Sequence, residues 1–123
     1  MAHKILFIED DPGLQKALCE SLKDAGYEVL CALDGEEGLR LAQRDIPDVV
    51  LLDLILPKKD GFEVLKEIRG DSRTASIPVI VLTNLEGSSE VQKALERGAT
   101  AYLVKTNYEL SEVIEKIGEV LKK

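Results

Sequence analysis

The 123-residue sequence is poor in the residue types that most metal, redox and nucleic-acid sites require. It has no tryptophan, one histidine and two cysteines, and aromatic residues make up 4% of the chain. His3 lies beside the N-terminus, where a surface side chain is expected rather than a ligand. Cys19 and Cys31 lack the CxxC spacing of zinc and dithiol motifs. We therefore expect both cysteines to be small core residues that form no disulfide.

Positive charge is also scarce, because 16 Lys and Arg residues stand against 23 Asp and Glu residues, giving a net charge of -7. This balance argues against the phosphate-backbone contacts that nucleic-acid-binding proteins make. No apolar run approaches the roughly 20 residues that span a bilayer. The start, MAHKILFIEDD, is too briefly apolar and too acidic for a signal peptide. We expect a cytoplasmic protein with no membrane insertion, no direct nucleic-acid binding and one domain over residues 1–123.

Short apolar runs alternate with helical patterns along the whole chain. The runs occupy residues 4–8, 27–31, 48–53, 78–83 and 100–104, and their Val, Ile and Leu content is typical of buried strands. Each run is followed by apolar residues at helical spacing, and Ser88 or Ser89 is a candidate cap of the fourth helix. Five strand-then-helix units predict a three-layer α/β sandwich, a (βα)5 fold with a parallel sheet covered by helices on both faces.

Polar side chains stand where four of these runs end. They are Glu9, Asp10 and Asp11 after the first run, Asp53 after the third, Thr83 after the fourth and Lys105 after the fifth. We expect them to converge, because ligands bind beyond the carboxyl ends of the strands in such sheets. Converging carboxylates favour a hard divalent cation such as Mg²⁺, or alternatively Mn²⁺. An ammonium and a hydroxyl beside the cation suit a phosphoryl group, for which an aspartate can be the nucleophile.

Each of these side chains also has an ordinary structural explanation. The acids after the first run could favour the N-terminus of the following helix. Thr83 could be a β-branched strand residue, and Lys105 could be a solvated surface charge. Packing alone does not account for all of them at one sheet edge, and this coincidence favours the phosphoryl site.

Four stretches resemble the receiver domain of bacterial two-component response regulators, a family that includes single-domain chemotaxis regulators. They read ILFIEDDP, VVLLDLILPKKDGFEVL, IPVIVLTN and ALERGATAYLVKT, and the resemblance extends over essentially the whole chain. Thr83 and Lys105 lie 30 and 52 residues after Asp53, as in the family. The resemblance implies a flavodoxin-like fold with the strand order 2-1-3-4-5.

The resemblance also implies a role for the residues at the sheet edge. Asp53 would accept a phosphoryl group from a histidine kinase or a phosphotransfer protein. Thr83 would hydrogen-bond one phosphoryl oxygen, and Lys105 would neutralise another. Tyr102 would be the aromatic residue that moves inward when Thr83 moves.

The metal ligands and the output surface follow from the same resemblance. Asp10, Asp53 and the backbone carbonyl of Ile55 would bind Mg²⁺ directly, and Glu9 would bind it through water. Asp11 lies outside this acid pair and is expected to be first-turn helix charge. The fourth helix, fifth strand and fifth helix would contact a downstream target, and a homodimer on phosphorylation is a further expectation.

Two features depart from the family pattern. Thr106 follows Lys105 where the family usually has proline, so we expect a trans peptide or a locally different loop. Ile55 and Leu85 are apolar where they would flank the path of an attacking water, and we expect them to slow loss of the phosphoryl group.

Three other functions share parts of this pattern. An aspartyl-nucleophile phosphohydrolase would carry a second aspartate two residues after the first, where this chain has Ile55. A flavin or nucleotide binder would need a phosphate-binding loop, but EDDPG is acidic and no GxxxxGK[ST] motif is present. The third is an interaction module that is never phosphorylated. We expect a signalling switch with no attached effector domain, and no enzyme beyond self-phosphorylation and slow self-dephosphorylation.

Overall fold

A computed structural model describes residues 2–122 as a parallel five-stranded sheet with the order β2-β1-β3-β4-β5. The strands are β1 Lys4–Ile8, β2 Glu28–Ala32, β3 Val49–Leu52, β4 Val79–Thr83 and β5 Ala101–Val104. The helices are α1 Pro12–Asp24, α2 Gly35–Asp45, α3 Gly61–Gly70, α4 Ser88–Glu96 and α5 Leu110–Leu121, with a 3-10 turn at Lys105–Asn107. The flavodoxin-like (βα)5 fold and its strand order are confirmed, and each predicted strand end is within one residue.

The alternation of side chains along β1 divides the core between the two faces of the sheet. Ile5 and Phe7 pack with residues of α1 and α5, whereas Leu6 and Ile8 pack with residues of α2 and α3. Successive side chains of a strand point to opposite faces, so a strand covered on both sides is apolar throughout. Burial on both faces explains why β1 and β3 are unbroken apolar runs.

Aspartates cap three of the five helices. Asp11 precedes α1 and its Oδ1 accepts hydrogen bonds from the backbone N–H groups of Gly13 and Leu14, at 3.0 and 3.4 Å. Asp11 is therefore an N-cap rather than the first-turn charge that was expected. The cap prediction for α4 is wrong, because Gly87 precedes this helix without a side-chain cap and Ser88 is already helical.

Cys19 of α1 and Cys31 of β2 are joined by a disulfide, so the prediction of two unpaired cysteines is wrong. Their Cα atoms are 7.4 Å apart, wider than the span of about 4.4–6.8 Å that is usual for such pairs. Cys19 is buried in the core cluster between α1 and the sheet, and the partly buried Cys31 packs against that cluster. Their spacing of 12 residues gave no sign of the pairing, which depends on how α1 packs over β2.

Every helix within residues 2–122 is too short or too polar to cross a membrane.

Candidate functional site

The adjacent central strands β1 and β3 bring three carboxylates together. Glu9 and Asp10 follow β1, Asp53 follows β3, and the backbone N–H of Asp53 donates to the carbonyl of Ile8 at 3.1 Å. One carboxylate oxygen from each acid lies within 4.8 Å of the other two. Glu9 is fully buried and Asp53 is 4% exposed, whereas Asp10 faces solvent. The structure therefore places the three predicted acids in one cluster that is open on one side.

Lys105 reaches this cluster from the end of β5 and contacts two of its members. Its Nζ lies 2.9 Å from Oδ2 of Asp53 and 2.6 Å from Oε1 of Glu9. The contact with Asp53 places Lys105 beside the carboxylate on which the resemblance implies a phosphoryl group. The contact with Glu9 was not foreseen, because sequence spacing does not reveal that a side chain beside β5 reaches an acid that follows β1.

The pKa values of Glu9 and Lys105 are both raised, although burial and charge act against each other in each group. Burial raises the pKa of Glu9, against the lowering effect of Lys105 and of the Asp11 backbone N–H. Burial alone would lower the pKa of Lys105, but its hydrogen bonds to Glu9 and Asp53 outweigh burial and raise it. Lys105 thus pairs with two of the three carboxylates, which leaves the cluster with more acidic groups than cations.

The donor atoms fit a Mg²⁺ ion. Oε1 of Glu9 is buried and forms an ion pair with Nζ of Lys105 at 2.6 Å, and its Oε2 accepts a hydrogen bond from the Asp11 N–H at 3.1 Å. Mg²⁺ is bound by oxygen ligands and usually retains several waters, which the exposed side of Asp10 would admit. Three carboxylates with one ammonium group in contact with two of them leave negative charge that such an ion would offset.

The loop after β3 returns its backbone toward Asp53. Oδ1 of Asp53 accepts a hydrogen bond from the backbone N–H of Ile55 at 3.2 Å, and the N–H of Gly61 donates to the Leu54 carbonyl at 2.9 Å. A Cβ atom at Gly61 would overlap the Asp53 carbonyl oxygen and lie 2.5 Å from Cα of Leu54. Glycine at 61 therefore permits a close approach that keeps the Ile55 backbone beside the acid.

Thr83 and Tyr102 meet at the backbone of Leu85. Thr83 ends β4 and is fully buried, and its Oγ1 accepts a hydrogen bond from the Leu85 N–H at 3.5 Å. The Tyr102 hydroxyl donates to the Leu85 carbonyl at 2.8 Å, and its ring packs against a small cluster that includes Val81 and Ala94. Burial raises the pKa of Tyr102, with smaller effects from Glu90 and Asp53. The hydroxyl hydrogen of Thr83 remains available for another acceptor.

The peptide between Lys105 and Thr106 is trans, since residues 2–122 contain no cis peptide bond. Lys105 and Thr106 begin a 3-10 turn that ends at Asn107. The expected trans link is confirmed, and a lysine without a following proline still reaches Asp53.

Sequence reasoning passed over one residue that contacts this edge of the sheet. Gln15 of α1 donates hydrogen bonds from its side-chain amide to the carbonyls of Glu9 and Ala32. A polar residue between the apolar positions Leu14 and Leu18 of an amphipathic helix was the available signal.

A family model described as response regulator receiver domain matches residues 5–117. The chain belongs to the response regulator receiver domain family. The resemblance found in the sequence is thereby confirmed, and the chain has the phosphoacceptor fold of two-component signalling. Receiver domains are signalling switches, and the acidic cluster lies where such a switch would bind its metal.

Relatives and solved receiver domains extend this match over nearly the whole chain. The DNA-binding dual master transcriptional regulator RpaA of Synechocystis is 39% identical over 98% of this chain and 49% of its own length. The transcriptional regulatory protein CiaR of Streptococcus pneumoniae is 42% identical over 98% of this chain and 52% of its own length. The chain thus spans about half the length of these curated relatives.

One solved receiver domain was described together with its metal. It belongs to the sensor histidine kinase PA1611 of Pseudomonas aeruginosa and has a magnesium ion coordinated in its active site cleft. It is 28% identical to this chain, with a TM-score of 0.90 and full coverage of both chains.

Proposed function

We propose that Asp53 is the phosphoacceptor of this receiver domain and that a histidine kinase or a phosphotransfer protein is its phosphodonor. The observation that carries the proposal is the position of Lys105, whose ammonium bridges Asp53 and Glu9 at the end of the central strands. A nearly buried carboxylate is costly unless it is paired, and an acceptor of a phosphoryl group needs a cation beside it.

In the proposed transfer, a carboxylate oxygen of Asp53 attacks the phosphorus of a phosphohistidine. The new O–P bond forms as the P–N bond breaks, and the electron pair of that bond stays on the departing imidazole nitrogen. Lys105 would then contact one phosphoryl oxygen, and the hydroxyl of Thr83 would donate to another. The Ile55 N–H already holds Oδ1 of Asp53, which fixes the carboxylate plane for the attack.

Mg²⁺ would be held by Asp10, Asp53 and the carbonyl of Ile55, with Glu9 bound through water, and Mn²⁺ could replace it. When bound, this ion would offset the negative charge of the incoming phosphoryl oxygens. The reaction stops at the phosphorylated protein and its slow hydrolysis, so no metabolite is turned over. Apolar side chains at Ile55 and Leu85 would slow that hydrolysis.

Phosphorylation would change the surface formed by α4, β5 and α5. The phosphoryl group adds about two negative charges and strong acceptor oxygens beside Thr83. A hydrogen bond from Thr83 to that group would compete with its contact to Leu85, the residue that also accepts from Tyr102. A downstream protein, or a second copy of the chain, would read the change. Kinase, target and chain would meet in the cytoplasm, and residues 1–123 would act as one receiver domain.

The test is to incubate the protein with Mg²⁺ and a small acyl phosphate and to weigh the intact chain. Wild type should gain the mass of one phosphoryl group, Asp53→Asn should gain none, and a chelator should suppress the gain. Asp24→Asn, which changes an exposed aspartate at the end of α1, is the matched control and should behave as wild type. An adduct that persists in Asp53→Asn would refute the acceptor, and a wild type without any adduct would favour the phosphorylation-independent interaction module.

A further inference from the structure

The side-chain amide of Gln15 joins the ends of two strands at the acidic cluster. Its Nε2 donates to the Glu9 carbonyl at 3.1 Å and to the Ala32 carbonyl at 2.9 Å. Both partners are carbonyl oxygens, so the amide must present its NH₂ group, which has two hydrogens for two acceptors. Gln15 is half-buried in the first turn of α1, where its own N–H donates to the Asp11 carbonyl at 2.9 Å.

This contact completes a clamp around the backbone of Glu9. The N–H of Glu9 donates to the Ala32 carbonyl at 3.0 Å, and the carbonyl of Glu9 accepts from Gln15. Both peptide groups of Glu9 are therefore fixed to neighbouring elements. The Ala32 carbonyl serves both donors, using its two lone pairs.

The hydrogen bonds to Glu9 influence the orientation of Asp10 through the peptide group that joins the two residues. The carbonyl of Glu9 lies in the planar peptide group that ends at Cα of Asp10, so its orientation helps to set where the Asp10 side chain points. Asp10 is exposed, and packing therefore does not hold its carboxylate beside those of Glu9 and Asp53. The orientation of the backbone therefore determines whether the Asp10 carboxylate lies beside those of Glu9 and Asp53.

We propose that Gln15 is a positioning residue for the divalent-cation site, acting through the Glu9–Asp10 peptide rather than by touching the ion. This inference rests on the proposed function, because it assigns Gln15 to the Mg²⁺ site described there. Removing a group that orients a metal ligand through a hydrogen bond commonly weakens metal binding about 10- to 100-fold.

The experiment is a calorimetric titration of the whole chain with Mg²⁺ alone, without a phosphodonor. Gln15→Met keeps the length and helix preference of the side chain but removes both donors. Its dissociation constant for Mg²⁺ should rise about tenfold. Gln92→Met is the matched control, because Gln92 is also helical and its amide donates a hydrogen bond to the exposed side chain of Glu96, away from the acidic cluster. This control should bind Mg²⁺ as wild type does.

A second measurement separates positioning from general loss of structure. The rate of phosphorylation by a small acyl phosphate should fall for Gln15→Met at limiting Mg²⁺ and return to the wild-type rate at saturating Mg²⁺. A purely structural role would lower the melting temperature and reduce the rate equally at both concentrations.

The outcomes also distinguish this inference from the function on which it rests. Mg²⁺ binding by Gln15→Met within twofold of wild type, or a rate loss that saturating Mg²⁺ does not restore, overturns the role of Gln15 alone. A wild type that binds no Mg²⁺ overturns the proposed metal site, and the role of Gln15 with it.

Discussion

At the scale of single residues, Glu9 is a buried carboxylate whose ionised form is destabilised by loss of solvation. Its side chain is fully buried, and burial raises its pKa even though Lys105 lies 2.6 Å away. A raised pKa means that the folded chain binds a proton more tightly than the unfolded chain does. The contribution of Glu9 to the free energy of unfolding is therefore fully present below its unfolded pKa of about 4.5. It is lost as the pH rises through the pKa of Glu9 in the folded state.

We expect Glu9→Gln to stabilise the metal-free protein at pH 7, because the variant has no charge to bury at this position. The advantage in melting temperature should shrink as the pH is lowered toward 4.5 and below, where Glu9 binds its proton in both states. Thermal melting of both proteins across this pH range measures the difference. Glu28→Gln, an exposed acid in β2, is the control and should show little change. A Glu9→Gln variant that melts below wild type at pH 7 would show that the ion pair with Lys105 outweighs burial.

Sequence reasoning located single residues at the sheet edge better than it predicted their contacts. Asp53, Thr83 and Lys105 could be named because each ends or follows a strand, and parallel strands end at one edge of the sheet. The contact between Lys105 and Glu9 and the clamp by Gln15 could not be named. Both depend on side-chain paths across neighbouring elements, which no residue spacing encodes.

At the scale of elements, the N-terminus of α2 rests on the loop that follows Asp53. The N–H of Gly35 donates to the Pro57 carbonyl at 3.3 Å. A Cβ atom at Gly35 would overlap the carbonyl oxygen of Lys59 and lie 2.7 Å from its carbonyl carbon. These are backbone atoms, which cannot rotate away as a side chain could. Glycine at 35 therefore allows α2 to pack closely against the loop that carries Ile55.

We expect Gly35→Ala to destabilise the fold by about 1–3 kcal/mol, the usual cost of overpacking, and to weaken Mg²⁺ binding by displacing the loop. Chemical denaturation and Mg²⁺ titration measure the two effects. Gly70→Ala is the matched control, since Gly70 ends α3, has no atom near its missing Cβ and does not have positive φ. That change should be neutral or slightly stabilising, because alanine is the better helix former. Unchanged stability in Gly35→Ala would mean that the loop moves freely.

Element boundaries followed from the sequence wherever periodicity defined them, and errors arose at the caps. The apolar runs located each strand to within one residue because burial on both faces makes a strand continuous. Ser88 looked like a cap because serine commonly caps helices, but the glycine before it occupies that position. The pairing of Cys19 with Cys31 was missed since it depends on the packing of α1 against β2.

At the scale of the whole molecule, the strand order concentrates negative charge at one edge of the sheet. The strands β1 and β3 deliver Glu9, Asp10 and Asp53, and Lys105, directly after β5, is the cation that contacts two of them. The net charge of -7 adds electrostatic repulsion that destabilises the folded chain at neutral pH. A ligand that binds only the folded arrangement should therefore stabilise the entire domain.

Mg²⁺ should raise the melting temperature of the wild-type chain, because the three acids come together only in the folded state. Binding to the folded state alone stabilises it by RT ln(1 + [L]/Kd), about 1.4 kcal/mol at tenfold the dissociation constant. A domain of this size should then melt several degrees higher. Asp10→Asn should lose the Mg²⁺-dependent shift while remaining folded, and Asp24→Asn, far along α1, should keep it. Scanning calorimetry at increasing Mg²⁺, with NaCl at matched ionic strength, separates binding from charge screening. An equal shift from NaCl, or an undiminished shift in Asp10→Asn, would mean that the acidic cluster is not where the ion binds.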